Sequence, residues 1–126
     1  MSFAEKDLSD IKKVVVVFHY AEKMKSNLIV ATNLLTALGG MSDSEIGGAE
    51  KLLKAYLDSL MAEISIAANA SGVHEFEDVR MKLEEATRLL KEHNYSEPMR
   101  LVAEAMSITT TVANEAAETL SKKGLI

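Results

Sequence analysis

Residues 14–38 read VVVVFHYAEKMKSNLIVATNLLTAL, and their apolar pattern decides the fold. Apolar residues recur there at alternating steps of three and four, at Val14, Val17, Ala21, Met24, Leu28, Ala31, Leu35 and Leu38. Because an α-helix turns once every 3.6 residues, these side chains share one face of a helix. An unbroken apolar face of this length is typical of a helix that packs in a bundle.

Three later segments carry apolar stripes at the same spacing, and each is predicted to be a helix. Helix 2 is expected between Ser42 and Gly72, helix 3 from about His74 to about His93, and helix 4 from an N-cap at Ser96. The three stripes are Ile46, Ala49, Leu53, Leu57, Leu60, Ile64 and Ala67; Phe76, Val79, Leu83, Ala86 and Leu90; and Met99, Val102, Met106, Thr109, Ala113, Ala116 and Leu120.

Helix ends are marked by capping-box patterns, in which a hydroxyl and a carboxylate three residues later satisfy backbone N–H groups. Ser2 with Glu5 starts helix 1, and Ser42 with Glu45 starts helix 2. Helix 1 then runs to Gly39, over roughly 36 residues, and is longer than its partners unless it breaks near Ser26. Four amphipathic helices with short connections predict an all-α, antiparallel up-down four-helix bundle with a long first helix, forming a single domain over residues 1–126.

Composition narrows the classes of function. The chain has no cysteine, which excludes disulfides and thiolate ligands and fits a cytoplasmic location. Its net charge is −5, and its lysines are scattered in pairs, so no basic patch for nonspecific nucleic-acid binding is evident. The run Val14–Phe18 is too short to span a bilayer, and the N-terminus does not resemble a signal peptide, so no membrane partner is expected.

The valine run has more apolar surface than one helix face can use. Four consecutive residues cover about 300° of the helix circumference. Either this segment is buried deep inside one bundle or it also packs against another subunit. Together with a long helix 1, it favours a homo-oligomer, a dimer or higher, that serves as a non-enzymatic scaffold or binding module. The interface candidates are Val14, Val15, Val16, Val17 and Phe18.

No pattern predicts a metal centre or a cofactor site. Di-iron bundles place Glu-x-x-His on facing helices, whereas this chain has only the reversed order, from His19 to Glu22. The pairs Gly39-Gly40 and Gly47-Gly48 lack the spacing of a phosphate-binding loop. The methionines at core-like spacing are expected to fill gaps in the core. They are Met24, Met61, Met81, Met99 and Met106.

Residues 88–95 read RLLKEHNY, in which His93 and Tyr95 follow Arg88 at the spacing Arg-x4-His-x-Tyr. This spacing resembles the signature of the HEPN family, whose members are small helical bundles, often dimeric. They include toxin ribonucleases and relatives that no longer cleave RNA. The stretch from Glu50 to Ala55, EKLLKA, is similar to a stretch of the family's second helix, and His74 is similar to the opening of the helix after it.

The resemblance implies a metal-independent ribonuclease, with RNA as partner, or a non-catalytic relative. Arg88 would hold the scissile phosphate, His93 would move a proton, and Tyr95 would orient the pair or the substrate. Leu89 departs from the family, which commonly has Asn there. On a continuous helix Arg88 and His93 point about 140° apart, so they converge only if the helix ends before His93.

The same three residues also have a purely structural interpretation. Arg88 can pair with Glu84 or Glu85 one turn earlier on an exposed helix face. His93 in a last helical turn would complement the helix dipole. Tyr95 would then pack its ring over the junction between two helices.

Overall fold

A computed structural model describes residues 11–90 and 94–126 of the chain. In this part the chain forms four α-helices, α1 (Ile11–Leu38), α2 (Asp43–Ser71), α3 (His74–Arg88) and α4 (Ser96–Lys122), and no strand. Each helix packs against its neighbours in the chain, and α4 closes the ring by packing most extensively on α1. The all-α four-helix bundle is therefore confirmed.

The core lies along the faces that the apolar spacing predicted. The buried residues of α1 are the eight of the predicted stripe, and the five residues of the stripe predicted for helix 3 have no exposed surface. Each large aliphatic side chain removed from water in this way contributes about 1.5–3 kcal/mol to folding. Helical periodicity is therefore enough to orient each helix toward the core.

Helix α1 is continuous, with no break at Ser26. Its described part has 28 residues, against 29 in α2 and 27 in α4, so the expected extra length depends on residues 1–10. Those residues, with the predicted Ser2–Glu5 capping box, lie outside the described residues. No helix in the described ranges combines the length and apolar character needed to cross a membrane.

Helix α2 begins and ends where the sequence predicted. The Glu45 carboxylate accepts hydrogen bonds from the Ser42 hydroxyl at 2.9 Å and the Ser42 backbone N–H at 3.2 Å, and these bonds hold the pKa of Glu45 below its usual range. At the other end Gly72 adopts the left-handed conformation, with φ of 70°, which glycine tolerates without a Cβ clash. The N-terminus of α2 is thus capped with the help of the Glu45 carboxylate, and its C-terminus ends in a left-handed turn at Gly72.

Helix α3 is shorter than predicted, and the expected end near His93 is wrong. The helix ends at Arg88, and its last turn closes with a bond from the Leu90 N–H to the Thr87 carbonyl at 3.3 Å. Leu90 still enters the core, so burial of its side chain continues after the helical backbone stops. Helix α4 starts at Ser96 with Tyr95 as its N-cap residue, one position before the predicted cap.

One of the five methionines predicted to fill gaps in the core lies at the surface instead. Met24 is buried, and Met61, Met99 and Met106 pack partly buried against the core, as expected for gap-filling side chains. Met81, however, is 57% exposed on α3, so its predicted core role is wrong.

Candidate functional site

Arg88 lies at the C-terminal end of α3 with its side chain 66% exposed. Its Nε donates to Glu85 Oε2 at 3.0 Å, and its Nη2 donates to Oε1 of the same carboxylate. Glu85 is one of the two partners that the structural interpretation named. Because an exposed pair of this kind contributes little free energy, the guanidinium can exchange this carboxylate for another anion.

Tyr95 is largely buried, and its hydroxyl donates to Glu50 Oε2 on α2 at 2.5 Å. This bond joins two positions that are distant in sequence. It brings together the RLLKEHNY segment and the EKLLKA stretch of α2. It also fixes the start of α4 against α2.

His93 lies outside the described residues. The described helix α3 ends at Arg88, five residues before His93. His74 opens α3 as expected, with its ring nitrogen 3.3 Å from the Glu75 carboxylate at the surface. Within residues 11–90 and 94–126, no three His, Asp or Glu side chains are placed to hold a metal ion.

The five interface candidates of the valine segment separate into two groups. Val14 and Val17 are buried in the core of the chain itself, and Phe18 packs partly buried against it. Val15 and Val16 are 47% and 42% exposed. The segment is therefore divided between core and surface, and Val15 and Val16 supply most of the apolar area that it presents outward.

A second exposed apolar surface lies along α1, α2 and the connection between them, and the sequence reasoning did not single it out. We call it the α1–α2 face. It consists of the exposed side chains of Val30, Leu34, Met41, Leu52 and Ile66. Leu52 and Ile66 are 75% and 61% exposed, values that are high for large aliphatic side chains.

A charge gap in the sequence was the available signal for this surface. Residues 26–41 read SNLIVATNLLTALGGM and contain no Asp, Glu, Lys or Arg, although 26% of the chain is charged. A helix in water normally carries charged residues on its outer side. The outward surface of α1 in this run carries Ile29, Val30 and Leu34 in their place.

The groove between α1 and α2 contains two open hollows along the α1–α2 face. The first, the apolar hollow, has a volume of about 150 Å³ and is lined by apolar residues, among them Leu34, Met41 and Leu52. The second, the mixed hollow, has a volume of about 210 Å³ and lies over Met24 and Leu60, with Ile66 at its edge. Each hollow therefore has one highly exposed side chain of α2 at its rim.

Polar contacts cross the groove beside the mixed hollow. Lys23 Nζ lies 3.0 Å from Glu63 Oε1, and Asn27 Nδ2 donates to the other oxygen of Glu63 at 3.4 Å. The Tyr56 hydroxyl donates to the Asn27 carbonyl at 2.9 Å, and burial, with a smaller effect from the Glu63 charge, raises the pKa of Tyr56. These contacts fix the relative positions of α1 and α2.

The outer sides of α3 and α4 have the opposite character. Arg80 pairs with Glu77 and with Glu84, and Lys82 joins α3 to Glu104 of α4 at 2.7 Å. The bond from Lys82 is the largest cause that holds the pKa of Glu104 below its usual range. This side of the bundle is an ordinary solvated surface, in contrast to the run of residues 26–41 on the α1 side of the α1–α2 face, which has no charged residue.

These observations define an all-α four-helix bundle with an apolar outer face, the α1–α2 face. At Tyr95 a hydrogen bond to Glu50 joins the start of α4 to α2. Comparisons of the chain with protein-family models, with curated proteins and with solved structures gave no match. The features of the chain that bear on its function are therefore the α1–α2 face and the residues around Arg88 and Tyr95.

Proposed function

We propose that this protein is a non-enzymatic interaction module that associates with a second copy of itself through the α1–α2 face. The observation that carries the proposal is the coincidence of exposed aliphatic side chains with the charge gap at residues 26–41. Large contiguous apolar surfaces are uncommon on monomers and mark interaction sites. Covering such a surface removes apolar area from water at about 25 cal/mol per Å².

Charge favours a second copy as the occupant of this face. Each chain carries a net charge of −5, so two copies repel each other over most of their surfaces. The uncharged outer surface of residues 26–41 avoids like-charge contacts when two copies meet there. In a two-fold symmetric dimer the same patch lies on both sides of the interface, which suits the uncharged run of residues 26–41.

The test is the molar mass of the wild type and of Leu52→Asp by sedimentation or light scattering. We expect twice the chain mass for the wild type and a single chain for the variant, because symmetry places the new charge in the interface twice. The expected weakening of self-association is about 100-fold or more. Leu52 is 75% exposed, so the substitution leaves the core of the chain unchanged.

Met81→Asp is the matched control, since Met81 is also an exposed large apolar residue but lies on α3. It is expected to keep the dimer mass. A wild type that stays a single chain at concentrations of about 100 μM, two orders of magnitude above a micromolar Kd, would contradict the proposal.

A second candidate function is a HEPN-like ribonuclease, and the bond from Tyr95 to Glu50 is the observation that favours it. Both the segment around position 95 and the EKLLKA stretch carry the resemblance, and this bond joins them. In that function Arg88 exchanges Glu85 for the scissile phosphate, since the guanidinium forms bidentate bonds with either anion. His93 transfers the proton of the attacking 2′-hydroxyl or of the leaving oxygen.

Cleavage of mixed RNA in the presence of a metal chelator tests this second function. Under it, His93→Ala and Arg88→Ala lose about 100-fold or more in cleavage rate, the usual effect of removing a proton-transfer or charge-stabilising group. Arg80→Ala is the control, because Arg80 is another α3 arginine in intrahelical ion pairs. RNA left intact by the wild type, or equal cleavage by all variants, would rule out the ribonuclease.

A further inference from the structure

Each of the two hollows has an exposed side chain of α2 at its rim, and these two side chains lie on nearly the same side of the helix. Leu52 lies at the rim of the apolar hollow, and Ile66 lies at the rim of the mixed hollow. They are fourteen positions apart, which is about 21 Å along the helix and close to four full turns. The position halfway between them is Ser59, whose side chain is exposed.

From this arrangement we infer that the two copies pack antiparallel, with the two-fold axis of the dimer passing beside Ser59. The inference rests on the proposed self-association through the α1–α2 face. A two-fold axis at Ser59 places position 52 of one copy opposite position 66 of the other. Leu52 then covers the mixed hollow of the second copy, and Ile66 covers its apolar hollow, so both hollows and both side chains leave water together.

Charges at the ends of the face favour this antiparallel orientation over a parallel one. Lys12 is exposed near the start of α1, and Lys13 lies beside the end of α2, with its Nζ 3.8 Å from the place that a Cβ of Gly72 would occupy. The other end of α2 carries Asp43 and Glu45 in its first turn. An antiparallel pair brings the lysine end of one copy to the acidic end of the other, whereas a parallel pair joins like charges.

The absence of cysteine from the chain allows a direct test of the axis position. Ser59→Cys gives each copy a single thiol, and at a two-fold axis this thiol meets its own equivalent. A disulfide forms only when the two Cα atoms lie within about 7 Å. Under mild oxidation we expect most of the Ser59→Cys protein to become a covalent dimer on a non-reducing gel.

Two further single-cysteine variants serve as controls. Ala55→Cys lies one turn from Ser59 on α2, so in the inferred dimer its two copies are about eight positions, or about 12 Å, apart along the helix direction. Ser107→Cys is exposed on α4, away from the α1–α2 face. Both are expected to remain largely uncrosslinked, and their circular dichroism spectra check that all three variants are folded.

The outcomes separate this inference from the proposed function. Strong crosslinking of Ser59→Cys with weak crosslinking of the two controls supports the axis position. A dimeric wild type in which Ser59→Cys does not crosslink, or in which Ala55→Cys or Ser107→Cys crosslinks better, overturns the axis position and leaves self-association standing. A monomeric wild type overturns both.

Discussion

Ala31→Asp is expected to unfold the protein. Ala31 lies in the middle of α1 with no exposed surface, and its neighbours on the buried face are Leu28 and Leu35. None of the described residues places a cation in the apolar core, and burying an unpaired charge costs several kcal/mol. A domain of this size is stable by only about 5–15 kcal/mol, so the substitution removes much or all of that margin. Thermal melts followed by circular dichroism measure the loss.

Ala103→Asp is the matched control for this change, because Ala103 is exposed on α4. The same chemical substitution there is expected to alter the free energy of unfolding by less than about 0.5 kcal/mol. A buried carboxyl group also prefers its neutral form, which raises its pKa in the folded state above that of an unfolded Asp. The damage from Ala31→Asp is therefore expected to decrease as the pH falls toward about 4, the pKa of an unfolded Asp, and to be smallest below it. An Ala31→Asp protein that melts at the wild-type temperature would show that α1 does not face the core at this position.

Phe76→Ala is expected to lower the free energy of unfolding by about 3–5 kcal/mol. Phe76 is the largest of the fully buried side chains and lies in the first turn of α3. Its removal loses the transfer free energy of the ring and leaves a cavity that the close-packed helices around it cannot fill. Because α3 has only 15 residues, few other core side chains hold it in place. Urea denaturation gives the change directly.

Met81→Ala on the same helix provides the comparison. Met81 is 57% exposed, so its truncation leaves no cavity and is expected to change stability by less than about 0.5 kcal/mol. If Phe76→Ala cost no more than Met81→Ala, the packing of α3 against the core would have to be different from that described above.

Much of the candidate site lies beyond what local pattern can predict. Glu85 as partner of Arg88 follows from helical spacing, since residues three apart are neighbours on a helix surface. The bond from Tyr95 to Glu50 does not, because it joins residues 45 positions apart across two helices. The apolar hollow is equally non-local, since Leu34 and Leu52 come from different helices.

The sequence by itself determined which face of each helix is buried. The apolar spacing from Val14 to Leu38 predicted the core residues of α1 correctly, because helical periodicity is a local property. Helix α2 begins at the predicted capping box for the same reason. Tertiary structure alone decided where α3 ends and why Met81, Leu52 and Ile66 stay in water. An apolar side chain is buried only where a neighbouring helix covers it, and that cover depends on the spacing and length of helices distant in sequence.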